Sequence, residues 1–257
     1  MDCCSAPEPL ANIARSASIN RSNQTTWHFS RGFMDALLSS ELSAETLAAL
    51  QAHLAAVQVR DEDDDVSEDF RLSQFWYDQK TGDALALEAL EKSKGGPIAF
   101  LSTPAAFKAL KAMEPERDNV YLFEYDHRFG DKYGDAFAFY DYNNPLDVDT
   151  KFHHFFDYVL VEPPYLTSQC LRGFAKTMRL ISREVDIVDG VEVLKTPNTF
   201  INSGAMHKVM LNELKLVPSG FVPTFESKLS NRLTTYINYE SERFGPCDHT
   251  FDDDVEE

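Results

Sequence analysis

The residues Glu162-Pro163-Pro164-Tyr165 have the types and the order that could hold an amine. They follow the apolar run 158–161, which predicts a buried strand. Because proline lacks a backbone N–H and has a fixed φ, the two prolines must lead the chain off the sheet in an extended shape. A carboxylate, free carbonyls and a ring at the carboxyl end of a strand suit an amine. We therefore predict these four residues to be catalytic, with a structural proline turn as the alternative.

A second candidate site follows the predicted strand Pro97–Leu101, where the chain continues as Ser102-Thr103-Pro104. The turn has no glycine-rich pattern, so the usual signal of a dinucleotide site is absent. A short Ser/Thr turn at a helix N-terminus can still offer N–H and hydroxyl donors to a carboxylate. We predict Ser102 and Thr103 as cofactor contacts, and a plain helix cap is the alternative.

Acidic residues end the next two predicted strands. Glu124 and Asp126 follow the second strand, where an acid commonly accepts both hydroxyls of a ribose; Glu124 is the first choice and Asp126 the second. After the third strand, Asp141 could accept from an adenine amino group while Tyr142 lies against the ring. Surface acids are the alternative. With the acid at 162, the three strand ends offer ribose, base and amine contacts, which suggests S-adenosylmethionine as cofactor.

From Gly95 onward, short apolar runs alternate with helical patterns, which predicts an α/β fold with a mostly parallel sheet and helices on both faces. The predicted strands are Pro97–Leu101, Val120–Glu124, Ala136–Tyr140, Tyr158–Val161, Val191–Leu194 and Leu233–Tyr239. The predicted helices are Ala44–Val57, Thr81–Leu90, Ala105–Met113, a longer one marked by Leu171 and Ile181, and Met206–Leu216.

The rest of the chain predicts flanking segments around one catalytic domain. We expect a flexible tail over 1–30, a helical segment over 31–60, an acidic linker over 61–69, the catalytic domain over 70–245 and an acidic tail over 246–257. Both acidic segments have the composition of solvated, disordered chain.

The formal net charge of −18 is concentrated in these two runs. They hold 13 of the 42 acids, and the remaining 29 acids against 24 basic residues leave a net charge of only −5. A chain of this kind repels phosphate backbones and attracts a basic protein surface. Nucleic acid is therefore disfavoured as a substrate, and a protein partner is favoured.

The four cysteines, Cys3, Cys4, Cys170 and Cys247, form neither a CxxC metal half-site nor a disulfide framework. We expect a reducing compartment, the cytoplasm, and no metal. Arg15, among serines in a stretch without acids, gives a weaker indication of a mitochondrial presequence. No apolar run approaches the roughly 20 residues that span a bilayer, so we expect no membrane segment.

Several motifs in order make the chain similar to a known family. Gln74-Phe75-Trp76-Tyr77, Glu124-Tyr125-Asp126-His127-Arg128-Phe129, Phe139-Tyr140-Asp141-Tyr142-Asn143 and the Pro-Pro-Tyr-Leu segment resemble the eukaryotic elongation factor 1-alpha lysine methyltransferase 1 family over roughly Leu42 to Tyr239. The resemblance implies a Rossmann-like, seven-stranded class I methyltransferase fold with an N-terminal helical extension. Proteins of this family were once described as N6-adenine DNA methyltransferases.

The resemblance also implies an activity: a monomeric, S-adenosylmethionine-dependent protein-lysine N-methyltransferase whose substrate is elongation factor 1-alpha. Trp76 is then expected at the cofactor, and Gln74, Phe75, Tyr77 and Tyr165 at the substrate lysine, with core packing as the alternative for Phe75. The family motif normally begins with Asp, whereas this chain has Glu162. An adenine methyltransferase of nucleic acid and a catalytically inactive binding protein are the alternative functions.

Overall fold

The computed structural model describes residues 66–226 and 233–248. They belong to one compact unit that begins at Val66. The predicted tail 1–30, the helical segment 31–60 with its helix Ala44–Val57, and most of both acidic runs lie outside the described residues. Within the described ranges, no helix has the length and apolar character needed to cross a membrane.

A seven-stranded, mostly parallel sheet is the centre of the fold. Its order is β3-β2-β1-β4-β7-β9-β8; the strands from β3 to β7 pair in parallel, and β9 is antiparallel to both of its neighbours, β7 and β8. This arrangement confirms the predicted Rossmann-like class. The strands are β1 Ile98–Leu101, β2 Val120–Glu124, β3 Phe137–Phe139, β4 Tyr158–Val161, β5 Val185–Val188, β6 Val191–Leu194, β7 Asn198–Ser203, β8 Val217–Pro218 and β9 Leu233–Ile237.

Helices pack on both faces of this sheet, as predicted. Alternate residues of β1 belong to two separate cores. Ala99 and Leu101 pack in the core that contains helix α4, whereas Ile98 and Phe100 pack in the core that contains helices α1 and α2. The helices are α1 Gln79–Ser93, α2 Pro104–Met113, α3 Arg128–Tyr133, α4 Ser168–Ile181 and α5 His207–Val209, which continues as a π-helical turn over Met210–Leu214. Short 3₁₀ turns lie at Phe70–Leu72, Gly134–Ala136, Thr150–Phe152 and Gly204–Met206.

Local sequence explains where the long helices begin. The Asp78 side chain accepts from the Thr81 N–H at the start of α1, and the Thr167 hydroxyl accepts from the Cys170 N–H at the start of α4. Such caps satisfy backbone donors that the first turn leaves without partners. The cap at Thr167 begins α4 only two residues after Tyr165, which ties the Pro-Pro-Tyr segment to a rigid element.

Two parts of the sheet differ from the prediction. The run Val191–Leu194 is a strand, but it pairs only with Val185–Val188 in a separate two-stranded hairpin. The strand next to β4 is instead Asn198–Ser203, which we did not predict. The helix predicted over Met206–Leu216 instead covers 204–214 and changes from 3₁₀ to α to π geometry.

The strand order reverses between β1 and β4. From β1 the chain adds β2 and β3 on one side, whereas β4 pairs with the other edge of β1. Ligands of open α/β sheets bind in the crevice beyond the carboxyl ends of the strands at such a reversal. The residues after β1, β2 and β4 are therefore the ones that can share a ligand.

Candidate active site

A cleft opens at this strand reversal, with about 1050 Å³ of open space that includes solvent at its mouth. It is formed by the loops after β1, β2, β3 and β4 and by a rim segment before α1, residues 66–77. Of the predicted site residues, all except Asp126 line it: Gln74, Phe75, Trp76, Tyr77, Ser102, Thr103, Glu124, Asp141, Tyr142, Glu162, Pro163, Pro164 and Tyr165.

The turn after β1 leaves one hydroxyl without a partner. Ser102 has a positive φ of 52°, which a residue with a Cβ seldom adopts. Thr103 occupies the N-cap position of α2, but its side chain makes no capping hydrogen bond. Its Oγ1 is buried and has no hydrogen-bond partner among the described residues. Because buried polar groups are normally satisfied, this hydroxyl is available to a ligand, and the predicted plain cap is wrong for its side chain.

Glu124 lies at the end of β2 and is only 6% exposed. Its Oε1 accepts from the N–H groups of Tyr125 at 2.9 Å and Asp126 at 3.4 Å, while Oε2 has no partner among the described residues. Burial raises the pKa of Glu124 to about 7, against the effect of these two bonds. The free oxygen fits a ligand that brings hydroxyl donors.

Asp126, the second choice for the ribose, does not line the cleft. Both of its oxygens accept from Arg128, with distances of 2.6 to 3.1 Å, and Oδ2 also accepts from Gln74 at 3.0 Å. Burial raises the pKa of Asp126, but these hydrogen bonds lower it by more, so the pKa lies below its ordinary value. Its carboxylate fixes protein structure, which favours Glu124 as the ribose ligand.

Asp141 uses its carboxylate to close the loop after β3. Oδ1 accepts from the N–H and the side-chain amide of Asn143, both at 2.9 Å, and Oδ2 accepts from Asn144 at 3.2 Å. The side chain lines the cleft, so a further donor from a ligand would share oxygens that already have partners. The loop geometry therefore depends on Asp141 whether or not a ligand contacts it.

Tyr142 belongs to an aromatic wall of the cleft. Its ring stacks on Phe174 of α4 with 6.2 Å between centroids and meets Tyr165 edge-on at 6.0 Å. The loop carrying Tyr142 can lie this close to α4 because α4 has Gly173 there: an added Cβ would lie 2.6 Å from the carbonyl oxygen of Tyr142. The wall gives one flat apolar surface to a planar ligand and leaves Tyr165, 43% exposed, at the mouth.

The rim segment is held in place by Arg128. Besides its bonds to Asp126, this guanidinium donates to the carbonyl of Ser67 at 3.2 Å and to Gln74 Oε1 at 3.3 Å. Glu68 also accepts from the backbone N–H of Trp76. The end of the predicted acidic linker is thus bound to the domain rather than solvated. The Gln74 amide, predicted at the substrate, has protein partners on both of its polar atoms.

Tyr77 connects the rim segment to the catalytic corner. Its hydroxyl donates to Glu162 Oε2, and the residue is only 5% exposed. Burial raises the pKa of Glu162 to about 8, and the Tyr77 hydrogen bond partly opposes this effect. Burial, followed by the neighbouring charge of Glu162, also raises the pKa of Tyr77. Tyr77, which we predicted at the substrate, is thus hydrogen-bonded to Glu162, which we predicted to be catalytic.

The charges around the cleft have one sign. Among the described lining residues there are three acids and no Lys, Arg or His. Such a lining favours a ligand with a permanent positive charge, for example a sulfonium. No group of acids, histidines and cysteines in the described ranges is arranged to hold a metal ion.

Several residues that build this site were not predicted from the sequence. Arg128 stands within a motif quoted above, but only the three-dimensional fold brings it to Ser67 and Gln74. Tyr125 and Phe174 line the cleft without a prediction. Tyr125 directly follows the acid of β2, a position that could have marked it in the sequence.

Comparisons with known proteins agree with this geometry. Residues 68–241 match the family described as "Probable N6-adenine methyltransferase". The chain is 39% identical to the human EEF1A lysine methyltransferase 1 over 212 residues, covering 78% of this chain and 92% of that protein. It is 36% identical to the mouse protein of that name, with the same two coverages, and 34% identical to a protein-lysine N-methyltransferase of Dictyostelium discoideum, covering 79% of this chain and 93% of that protein.

Proposed function

Because the chain belongs to the family of EEF1A lysine methyltransferase 1 proteins, we propose that it methylates a lysine of translation elongation factor 1-alpha. The enzyme class is an S-adenosylmethionine-dependent protein-lysine N-methyltransferase. The observation that carries the proposal is the Glu162-Pro163-Pro164-Tyr165 corner, which opens into an acidic cleft at the strand reversal.

The residues of the cleft fit S-adenosylmethionine, which supplies a methyl group on a sulfonium when bound. The free oxygen of Glu124 suits the ribose hydroxyls, and the partnerless hydroxyl of Thr103 suits the cofactor carboxylate. The ring of Tyr142 offers a surface for the adenine, and Trp76 covers the cleft from the rim segment. The acidic lining favours the positive charge of the sulfonium.

The chain's own residues have to deliver an uncharged amine. A lysine with a pKa of about 10.4 is neutral in only roughly one molecule in a thousand at neutral pH. Entry into a cleft with apolar walls disfavours the ammonium, and Tyr165 at the mouth can contact the lysine side chain. The backbone carbonyls of Glu162 and Pro163 accept hydrogen bonds from the nitrogen and orient it, which contributes through proximity.

The charge of the cleft supports a protein substrate over nucleic acid. A groove that binds DNA or RNA needs Lys and Arg along the phosphate path. The described lining has none, and Tyr165 stands beside acids and aromatic rings instead. A flipped adenine could still enter an acid-Pro-Pro-Tyr corner, so it belongs in the test as a competing substrate.

The test is methyl transfer from labelled S-adenosylmethionine to purified, unmethylated elongation factor 1-alpha, with an adenine-containing oligonucleotide as the competing substrate. We expect label in the protein and, by mass spectrometry, methylated lysine. Label in the oligonucleotide alone would establish the adenine methyltransferase. Label in neither would contradict the proposal, and calorimetry with the cofactor would then identify a binding protein.

A variant pair connects the activity with the corner. Tyr165→Ala should lower kcat/KM for the protein substrate at least tenfold while it still binds the cofactor. Ile187→Ala is the matched control because this side chain is 75% exposed on the β5–β6 hairpin and does not line the cleft. Equal activity in both variants would remove Tyr165 from the site.

We also infer that the enzyme works in the cytoplasm as a monomer. Cys170 is buried and forms no disulfide bond among the described residues, which fits a reducing compartment. Cell fractionation and size-exclusion chromatography with light scattering test the two statements. Recovery in mitochondria or a mass of two chains would contradict them.

A further inference from the structure

We infer that Glu162 accepts the proton of the substrate ammonium and that Tyr77 positions its carboxyl group for this step. The inference deepens the proposed function and rests on it. It assigns to Glu162 a chemical step beyond orienting the amine, and to Tyr77 a role that acts through Glu162.

The two carboxyl oxygens of Glu162 have different surroundings. Oε2 accepts from the Tyr77 hydroxyl, whereas Oε1 has no hydrogen-bond partner among the described residues. The side chain is half-buried and lines the cleft beside Pro163 and Tyr165. One oxygen is thus fixed by the protein and the other is left for a donor that enters the cleft.

The identity of residue 162 matters for this arrangement. An Asp, which the family motif normally has, is shorter by one carbon–carbon bond, or about 1.5 Å. At hydrogen-bond distances, a change of that size is enough to lose the contact with Tyr77. The longer side chain therefore allows a carboxyl at the end of β4 to reach the rim segment.

Tyr77 itself is held firmly. Its backbone pairs with Phe225, and the two rings pack at 5.1 Å. On the next residue, the Asp78 N–H donates to the Thr224 carbonyl at 3.1 Å, and the Thr224 hydroxyl donates to Asp78 at 2.6 Å. A tyrosine that is anchored on both sides can fix the orientation of the carboxyl it binds.

The electrostatic surroundings suit a proton acceptor near neutral pH. Burial is the main cause that raises the pKa of Glu162 to about 8, and no charged described residue adds to the effect. An acceptor whose pKa lies near the operating pH is the most effective one. The titratable groups that face the cleft from the surrounding elements are Tyr77 from the rim segment, Glu124 and Tyr125 after β2, Tyr140, Asp141 and Tyr142 at and after the end of β3, and Tyr165 after β4.

The step is a simple proton transfer. One N–H bond of the ammonium breaks, an O–H bond forms on Oε1 of Glu162, and the nitrogen keeps the electron pair. The negative charge of the carboxylate and the positive charge of the ammonium are both neutralised, so the transfer removes two charges from a buried site. The proton then leaves to solvent at the open mouth of the cleft.

The pH dependence of kcat/KM tests the transfer because it reports the ionisation of free enzyme and free substrate. If Glu162 takes the proton, the productive pair is an ionised Glu162 and a charged lysine. We then expect kcat/KM for elongation factor 1-alpha to rise about tenfold per pH unit up to about 8 and to stay level from there to about pH 10, where the free lysine starts to lose its proton. A profile that keeps rising towards pH 10 would mean that the amine loses its proton to solvent, and it would overturn the inference.

Two variants test the separate roles. Glu162→Gln should lower kcat/KM at pH 7.5 by roughly 100-fold or more, and its remaining activity should rise up to pH 10. Tyr77→Phe removes the bond that lowers the pKa of Glu162, so the midpoint should move upward by about half a unit to one unit. An unchanged midpoint in Tyr77→Phe would overturn the positioning role.

Tyr121→Phe is the matched control, since this tyrosine lies on β2 outside the cleft and should leave the profile unchanged. Calorimetry with S-adenosylmethionine shows for each variant that the fold and the cofactor site are intact. A wild-type enzyme without any transfer to elongation factor 1-alpha would contradict the proposed function. An active wild type with the wrong profile would contradict only the inference.

Discussion

The hydroxyl of Thr103 offers a test that separates binding from folding. Because Oγ1 is buried without a partner among the described residues, the fold gains nothing from it. Thr103→Val keeps the shape and removes the hydroxyl, so we expect an unchanged or slightly higher melting temperature. A hydrogen bond to the cofactor would be lost, and the Kd for S-adenosylmethionine should rise about three- to tenfold. Calorimetry and thermal unfolding measure the two effects; a destabilised variant with unchanged Kd would contradict this assignment.

Side-chain types and their position after strands were enough to find the residues of the cleft, but not their partners. Glu124 and Asp126 are two acids two residues apart, and sequence alone gave no decisive reason to separate them. Arg128 decides between them, because it binds Asp126 and leaves Glu124 to the cleft. In the same way, nothing local shows that Tyr77 meets Glu162, 85 residues away.

Because α4 and the loop after β3 approach closely at Gly173, we expect one added methyl group at this residue to weaken cofactor binding strongly. Gly173→Ala would bring a Cβ to 2.6 Å from the Tyr142 carbonyl oxygen, so the loop or the helix has to move. We expect the displaced loop to raise the Kd for S-adenosylmethionine at least tenfold and to lower stability by about 1–3 kcal/mol. Gly82→Ala in α1 is the control: the added Cβ makes an ordinary 3.4 Å contact, and alanine favours the helix. If both variants bind the cofactor equally well, the close approach does not shape the site.

Elements with a clear apolar pattern were predicted well, and the exception has a physical cause. The strand β7 reads Asn-Thr-Phe-Ile-Asn-Ser, yet Asn198, Thr199 and Asn202 are fully buried. The N–H of Asn198 donates to Asn238 Oδ1 at 2.8 Å, and the hydroxyl of Thr199 bonds to the hydroxyls of Tyr158 and Tyr239. Distant partners thus satisfy polar groups of Asn198 and Thr199 in the core, and a pattern based on hydrophobicity cannot show them. In contrast, the strand Val191–Leu194 has the pattern of a strand and was predicted in the main sheet, but it pairs with Val185–Val188, which was not predicted.

The fold as a whole places two carboxyl groups where burial raises their pKa values, Glu124 to about 7 and Glu162 to about 8. In the unfolded chain both groups return to their ordinary pKa of 4.5. A raised pKa in the folded state means that the folded protein binds these protons more tightly than the unfolded chain does. Their contribution to stability is therefore fully present below pH 4.5 and is lost as the pH rises through 7 and 8. Asp126 acts in the opposite direction, because its pKa is lowered in the fold and its contribution to stability is lost as the pH falls.

This linkage predicts that Glu162→Gln makes the free enzyme less sensitive to alkaline pH while it removes activity. The wild-type protein should lose free energy of unfolding between pH 5 and pH 8.5, and the variant, which cannot ionise at this position, should lose less of it. The Tyr77 hydroxyl can still donate to the amide oxygen, so the contact is kept. Urea unfolding at both pH values measures the difference, with Glu192→Gln on the exposed hairpin as the control. Equal pH dependence in all three proteins would show that the fold does not raise the pKa of Glu162, and it would contradict this linkage.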